Sequence, residues 1–232
     1  MRACVIIPVY NEGSMIYRTL NSICKEFSDI DISIIVVDDG STDRTNTEAR
    51  KHRNIIVINH LINMGAGAAT RTGLRYAKIN NFDYAVTADA DGQHHPKDVK
   101  KVLKKCMNGY SDMVIGSRLL NISQDMPWYR RMGNKGLNVI TALIFGINVT
   151  DSQSGLKAMN KNAIKNLHFD SNRFAFSSEM IWRAKRAGLT IGEVPIKAIY
   201  TEYSLRKGQS NWGAIDIIRQ LLKRRILRLI NG

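Results

Sequence analysis

The 232-residue chain has no apolar run approaching the ~20 residues that a membrane span requires. That excludes a helical membrane bundle. Cysteine is scarce: Cys4, Cys24 and Cys106 are odd in number and far apart, which excludes a disulfide framework and a zinc spacing. Buried thiols are the expectation for all three. Acidic residues are also in short supply, 20 against 34 Lys and Arg, for a net charge of +14. From Ser204 onward seven Lys/Arg face one acid, Asp216. Such a balance suits nucleic acid, an anionic membrane or a phosphorylated substrate. The start of the chain lacks a signal-peptide layout and enters a strand-like run almost at once, so a cytosolic protein is expected.

What is present reads as an ordinary folded domain, 44% hydrophobic and 23% charged, long enough for one sizeable core. Strand-like runs at Ala3–Val9, Ser33–Val37, Ile55–Ile58, Tyr84–Ala88 and Met113–Ser117 alternate with helical stretches. Those helices are expected over about 14–27, 43–52, 65–79 and 96–107. The strands are continuous apolar runs, which suits a mostly parallel sheet covered by helices on both faces. Beyond Arg118 the alternation breaks down. A loop is expected over 121–127, helices over 128–145 and 178–187, and a short extended piece at Leu156–Met159. Leu189–Tyr200 reads as an edge strand because of Pro195. A polar loop, 201–211, and a final helix, 212–230, complete the chain.

In an open α/β sheet the ligand lies beyond the carboxyl ends of the strands. Three acidic loops fall there. In Asp89-Ala90-Asp91 the carboxylates at i and i+2 point the same way on an extended segment and suit a hard divalent cation. Gln93 offers a further oxygen. The same residues also suit an acidic turn ahead of a helix at Pro96. Asp38-Asp39-Gly40-Ser41 serves equally as a tight turn with a helix cap or as a contact to a ribose or base. Tyr10 has a ring that can stack on a base, and Glu12 a carboxylate for a nucleotide edge. Gly65-Ala66-Gly67 approximates a dinucleotide fingerprint but follows the third strand and not the first, so close helix packing or backbone approach to the ligand is expected instead. His94-His95 is expected to be exposed or capping, since adjacent side chains diverge.

Taken in order, Pro8–Glu12, Val37–Asp43, Asn63-Met64-Gly65, Asp89–His94 and Gly116-Ser117-Arg118 resemble the family-2 glycosyltransferases with a GT-A fold. The likeness is strongest to the polyprenyl-phosphate glycosyltransferases, among them the dolichol-phosphate mannose synthases. It extends through Asp151–Gly155, Phe176–Glu179 and Lys207–Ser210. The resemblance implies an α/β GT-A fold with a C-terminal amphipathic helix, and one catalytic domain over 1–232. About 1–118 would bind nucleotide, about 119–211 the acceptor, and about 212–232 would be the basic helix. It also implies a metal-dependent, inverting transfer of a hexose from a GDP- or UDP-sugar to a polyprenyl phosphate, with Mg²⁺ or Mn²⁺ as cofactor.

By the same resemblance Pro8, Tyr10, Glu12, Val37 and Asp39 surround the nucleoside. Asp89, Ala90, Asp91 and Gln93 hold metal and diphosphate, with Asp91 catalytic. Arg118 and Arg130 or Arg131 meet the acceptor phosphate. Arg206 or Lys207 closes over the donor; these two sit immediately before the Gly-x-Ser element, where the mannose synthases carry arginine slightly earlier, so both stay candidates. A phosphate acceptor is already an anion, whereas a saccharide or other hydroxyl acceptor needs a base, for which Asp151 is first candidate and Glu179 second. Membrane helices that often follow this domain in the family do not appear in the sequence, which leaves room for a separate membrane subunit. In the last segment Ile215, Ile218, Leu222, Ile226 and Leu229 keep helical spacing among Arg219, Lys223, Arg224, Arg225 and Arg228. That pattern suits either a helix packed on the domain or one lying in an anionic membrane surface. The expected location is the cytosolic membrane face. Nucleic acid is not an expected partner, because the acidic loops lie where its phosphates would be repelled and no nucleic-acid-binding signature is present.

Overall fold

The computed structural model describes residues 1–52, 54–120, 128–173, 175–197 and 199, and of residues 128–130 and 144 the backbone alone. Among these, seven strands form one sheet: β1 (Ala3–Val9), β2 (Ile32–Asp38), β3 (Ile55–Asn59), β4 (Tyr84–Thr87), β5 (Met113–Ser117), β6 (Lys157–Asn160) and β7 (Ile191–Pro195). Their order is β3-β2-β1-β4-β6-β5-β7. The pairs β1–β2, β2–β3, β1–β4 and β5–β7 are parallel, and β6 runs antiparallel to both β4 and β5. β6 therefore carries the 151–155 segment back to the edge where β4 and β5 end.

Side chains alternate across the sheet, and both faces are apolar. Val5, Ile7, Ile34 and Val36 pack on one side against α1 (Ile16–Glu26) and α4 (Pro96–Met107). On the other side Ile6, Ile35 and Val37 meet α3 (Ala66–Ile79), α6 (Lys161–Asn166) and α7 (Phe176–Arg186). Two covered faces explain the unbroken apolar runs. Each Val, Ile or Leu so buried contributes about 1.5–3 kcal/mol. A side chain on Gly73 would collide with Ile6, so α3 lies close on the sheet because that residue has none.

Pro8 lies inside a central strand, where proline normally removes a ladder bond. The register resolves this. β1 pairs with β4 only through Ile6, whereas its pairing with β2 runs on to Val9. The Ile6 carbonyl accepts from the Ala88 amide, so Pro8 faces the same side, beyond the end of β4.

The helix expected over 43–52 is confined to α2 (Thr45–Ala49), a polar piece in which only Thr45 and Ala49 are buried. α6 was not foreseen: six residues are too few to show periodicity, and the helix is started by the Asn160 side chain, which accepts from the Ala163 amide at 2.9 Å. α5 (Trp128–Phe145) has its expected bounds, α7 begins two residues earlier than expected, and β7 is an edge strand that ends on Pro195. Cys4 and Cys106 are buried, with burial pushing each thiol up to about 12, but Cys24 is exposed. The expectation for Cys24 fails because it lies one position past Ile23, off the inward stripe of α1. The 121–127 loop, the Arg130 side chain, Arg206, Lys207 and the final helix lie outside the described residues.

Candidate active site at the carboxyl ends of the strands

The loops after β1 and β2 are tied to each other. The Asn11 amide donates to Ser41 Oγ at 2.9 Å and the Thr42 amide to Asn11 Oδ1 at 2.9 Å. The Glu12 amide donates to Thr45 Oγ1 at 2.7 Å, and Gly13 to Asp43 Oδ2 at 3.0 Å. Tyr10 stands exposed at this edge, whereas Glu12 is buried. Pro8 is half-buried, while Val37 is wholly buried in the core, so only its backbone faces the loops.

Asp38 and Asp39 are both buried and both used structurally. Asp38 accepts from the Ser41 amide at 2.9 Å, as expected of a tight turn. Asp39 accepts from the amides of Met64 (3.1 Å) and Gly65 (2.6 Å), and its Oδ1 lies 2.7 Å from His60 Nδ1. Asp39 thereby holds the 60–65 loop at the sheet edge. Gly65 has φ of 102°, and a side chain there or on Gly67 would strike the 171–172 backbone. The Gly67 amide donates to the Asn172 carbonyl at 2.7 Å. The expected packing role of these glycines is thus the observed one.

Asp89, Ala90 and Asp91 continue from β4. The extended segment expected across these residues is not what forms: β4 ends at Thr87 and the chain turns at Ala90–Asp91, with Ala90 buried, Asp89 and Asp91 partly exposed, and the Asp89 side chain 44% exposed. Asp91 Oδ1 accepts from the Gln93 amide at 2.9 Å. The Gln93 carbonyl accepts from the Ile199 amide at 2.9 Å, which brings the chain after β7 beside this loop. His95 caps α4, accepting from the Lys97 amide at 3.2 Å. His94 corrects the expectation for the pair, being buried with Nδ1 accepting from the Asp89 amide at 3.0 Å and Nε2 3.6 Å from Asp89 Oδ2. Burial lowers its pKa, which favours the neutral ring. Among the described residues no group of three or more His, Cys, Asp or Glu side chains is placed to hold a metal. The protein's own donor set at this point is the hard-oxygen pair Asp89 and Asp91, which fits Mg²⁺ or Mn²⁺ in chemistry and leaves positions for other oxygens.

The 151–155 turn and the end of β5 complete the edge. Arg118 grips Asp151 through Nε (2.7 Å) and a second nitrogen (2.8 Å), and its amide donates to the same carboxylate at 3.1 Å. Asp151 is fully buried; burial raises its pKa, but the Arg118 charge and hydrogen bonds outweigh that and hold it below the ordinary value. Glu193 on β7 accepts from the Thr150 amide at 2.9 Å and from Thr150 Oγ1 at 2.8 Å. Glu179, also buried, accepts from the Asp170 and Ser171 amides and from Arg183 at 3.3 Å. Arg131 is half-buried in the first turn of α5.

Lys157, at the start of β6, is 1% exposed. Its Nζ donates to the Ser154 carbonyl and to Ser177 Oγ. Burial pushes its pKa down to about 8, against the pull of the Asp151 and Asp89 carboxylates. Lys157 and Glu193 are the residues at this edge that motif reading missed. The available signal for Lys157 was a lysine inside an otherwise apolar strand.

The sequence matches glycosyl transferase family 2 over residues 4–168. The chain belongs to that family. This glycosyltransferase is 41% identical over 238 residues to the UDP-N-acetylglucosamine–dolichyl-phosphate N-acetylglucosaminyltransferase of Methanococcus voltae, covering 94% of each chain. It is 30% identical over 211 residues to the undecaprenyl-phosphate mannosyltransferase of Micrococcus luteus, covering 87% of this chain and 85% of the relative. Its fold is GT-A. The glucosyl-3-phosphoglycerate synthase of Mycobacterium tuberculosis, solved with Mn²⁺, UDP and phosphoglyceric acid, superposes with a TM-score of 0.71 at 20% identity, covering 97% of this chain and 78% of the synthase.

Proposed function

We propose that this family-2 glycosyltransferase moves a sugar from a nucleotide-sugar to a polyprenyl phosphate, with inversion at the anomeric carbon. The observation that carries the reading is the pairing of opposite chemistries at one sheet edge: the Asp89/Asp91 carboxylates after β4, and Arg118, held by Asp151, after β5. The nucleoside would lie over Tyr10 and Glu12, within about 1–118, with the acceptor held by residues of about 119–211. A divalent metal held by Asp89 and Asp91, with Gln93 beside them, would neutralise the departing diphosphate. The structural neighbour solved with Mn²⁺ and UDP supports that cofactor class.

An acceptor phosphate needs no strong base but does need a fixed cation. Arg118 supplies one, and we assign Asp151 the task of orienting it. With both oxygens bonded to Arg118, Asp151 is poorly placed to remove a proton from a hydroxyl acceptor. Arg131, and Arg130 with it, would add to the acceptor side, and Arg206 or Lys207 to the donor side.

UDP-N-acetylglucosamine is the first donor to test, because the Methanococcus relative is named for it; GDP-mannose is second, on the name of the Micrococcus relative. Incubation of radiolabelled donors with Mn²⁺ and a short polyprenyl phosphate should move label into the organic phase. Label that stays aqueous with every common donor, while reaching a saccharide acceptor, would overturn the lipid-phosphate reading. Among the described residues no helix is long and apolar enough to cross a membrane. For action on a membrane lipid we propose peripheral binding at the cytosolic face, through the basic C-terminal segment, or a separate membrane subunit.

A further inference from the structure

Lys157 stands in register with Thr87, two residues before Asp89 on the neighbouring strand. Its buried ammonium is hydrogen-bonded to neutral groups, the Ser154 carbonyl and Ser177 Oγ. Ser177 Oγ donates in turn to the Ser152 carbonyl at 2.9 Å, and Thr87 Oγ1 to the Gly155 carbonyl at 2.6 Å. Of the turn's carbonyls the ammonium itself holds that of Ser154, while Ser177, which the ammonium also bonds, holds that of Ser152, and Thr87 holds that of Gly155. The turn ends against the acidic pair: a Cβ on Gly155 would lie 2.5 Å from Asp89 Oδ1 and 2.7 Å from Oδ2. A buried charge is costly, and an apolar side chain of equal length would fill the same space without that cost. The charge is therefore better explained by the two carboxylates whose field it feels, Asp151 first and Asp89 second, than by stability.

We propose that Lys157 is a positioning residue for the donor site, holding the 152–155 turn against Asp89 so that this carboxylate keeps the orientation in which it binds metal and diphosphate. The inference rests on the donor reading above. Lys157→Met removes the ammonium, and Gly155→Ala disturbs Asp89 directly while leaving Lys157 in place. Calorimetric titration of the purified full chain with UDP, and separately GDP, in the presence of Mn²⁺ is the test. Each variant is expected to weaken nucleotide–Mn²⁺ binding about tenfold, with a melting temperature no lower for Lys157→Met. The double variant should be no weaker than the worse single one, as two changes on one path require. The KM for acceptor should stay unchanged, which a general loss of fold would not produce. If Lys157→Met does not fold, Gly155→Ala decides. Wild-type affinity in both variants, weakening by Lys157→Met alone, or wild-type affinity in Gly155→Ala where Lys157→Met does not fold, would each overturn the inference. A wild-type protein that binds neither nucleotide with Mn²⁺ would overturn the donor reading itself and this inference with it.

Discussion

Individual carboxylates in this protein divide into those that present themselves to ligand and those that hold the frame. On the proposed function Asp91 falls in the first group. Asp91→Ala is expected to abolish metal-dependent turnover while leaving far-UV circular dichroism and Tm unchanged; activity at the wild-type level would overturn the metal assignment. Arg118→Lys is expected to raise the acceptor KM roughly tenfold, because lysine cannot reproduce the two-pronged grip on Asp151. Asp112 belongs to the second group. Its carboxylate accepts from Thr190 N and Oγ1 (2.8 Å each), Asn160 (2.9 Å) and Asn162 (3.1 Å). Burial raises its pKa, but those bonds outweigh burial and lower it to about 2. A depressed carboxyl stabilises the fold above its unfolded pKa, near 3.8, and that contribution is lost as pH falls through about 2. Urea midpoints measured from pH 5 to pH 2 should therefore fall less steeply for Asp112→Asn than for the wild type.

At the scale of elements, the site depends on contacts between segments far apart in sequence. The first turn of α3 is capped from outside, by the Asn172 carbonyl lying on Gly67. Gly67→Ala should cost about 1–3 kcal/mol in chemical denaturation, since the added methyl meets backbone that cannot rotate away. The end of β5 is organised by β7 through Glu193 and Thr150. The helices and strands with a clear apolar pattern were legible in the sequence: β1 to β5, α1, α3 and α4 lie close to their expected positions, and so does α5, of whose described side chains only Leu137 and Thr141 are buried. Short α6 and the truncation of α2 were not, because few apolar positions record them and a cap or a local contact decides their ends.

At the scale of the whole molecule, +14 of net charge and an acidic cleft edge have to coexist. If the basic excess serves an anionic membrane, binding to vesicles containing phosphatidylglycerol should weaken steeply as ionic strength rises from about 0.1 M toward 1 M, where the Debye length shrinks from about 10 Å to about 3 Å. Co-sedimentation measures this directly, and salt-independent binding would point to apolar insertion instead. The sequence by itself determined the alternation of elements, the two-sided sheet and the acidic loops at its carboxyl edge, because apolar periodicity and turn chemistry are local properties. It also marked Asp89 and Asp91 as an acidic pair, although the chain has left β4 and is turning by Asp91. Only the tertiary structure decided which partner each charge takes. Arg118 meets Asp151 across 33 residues and Lys157 is drawn beneath the site, because β6 returns antiparallel between β4 and β5. Burial and pairing of this kind arise from strand order, which no single segment of the chain contains.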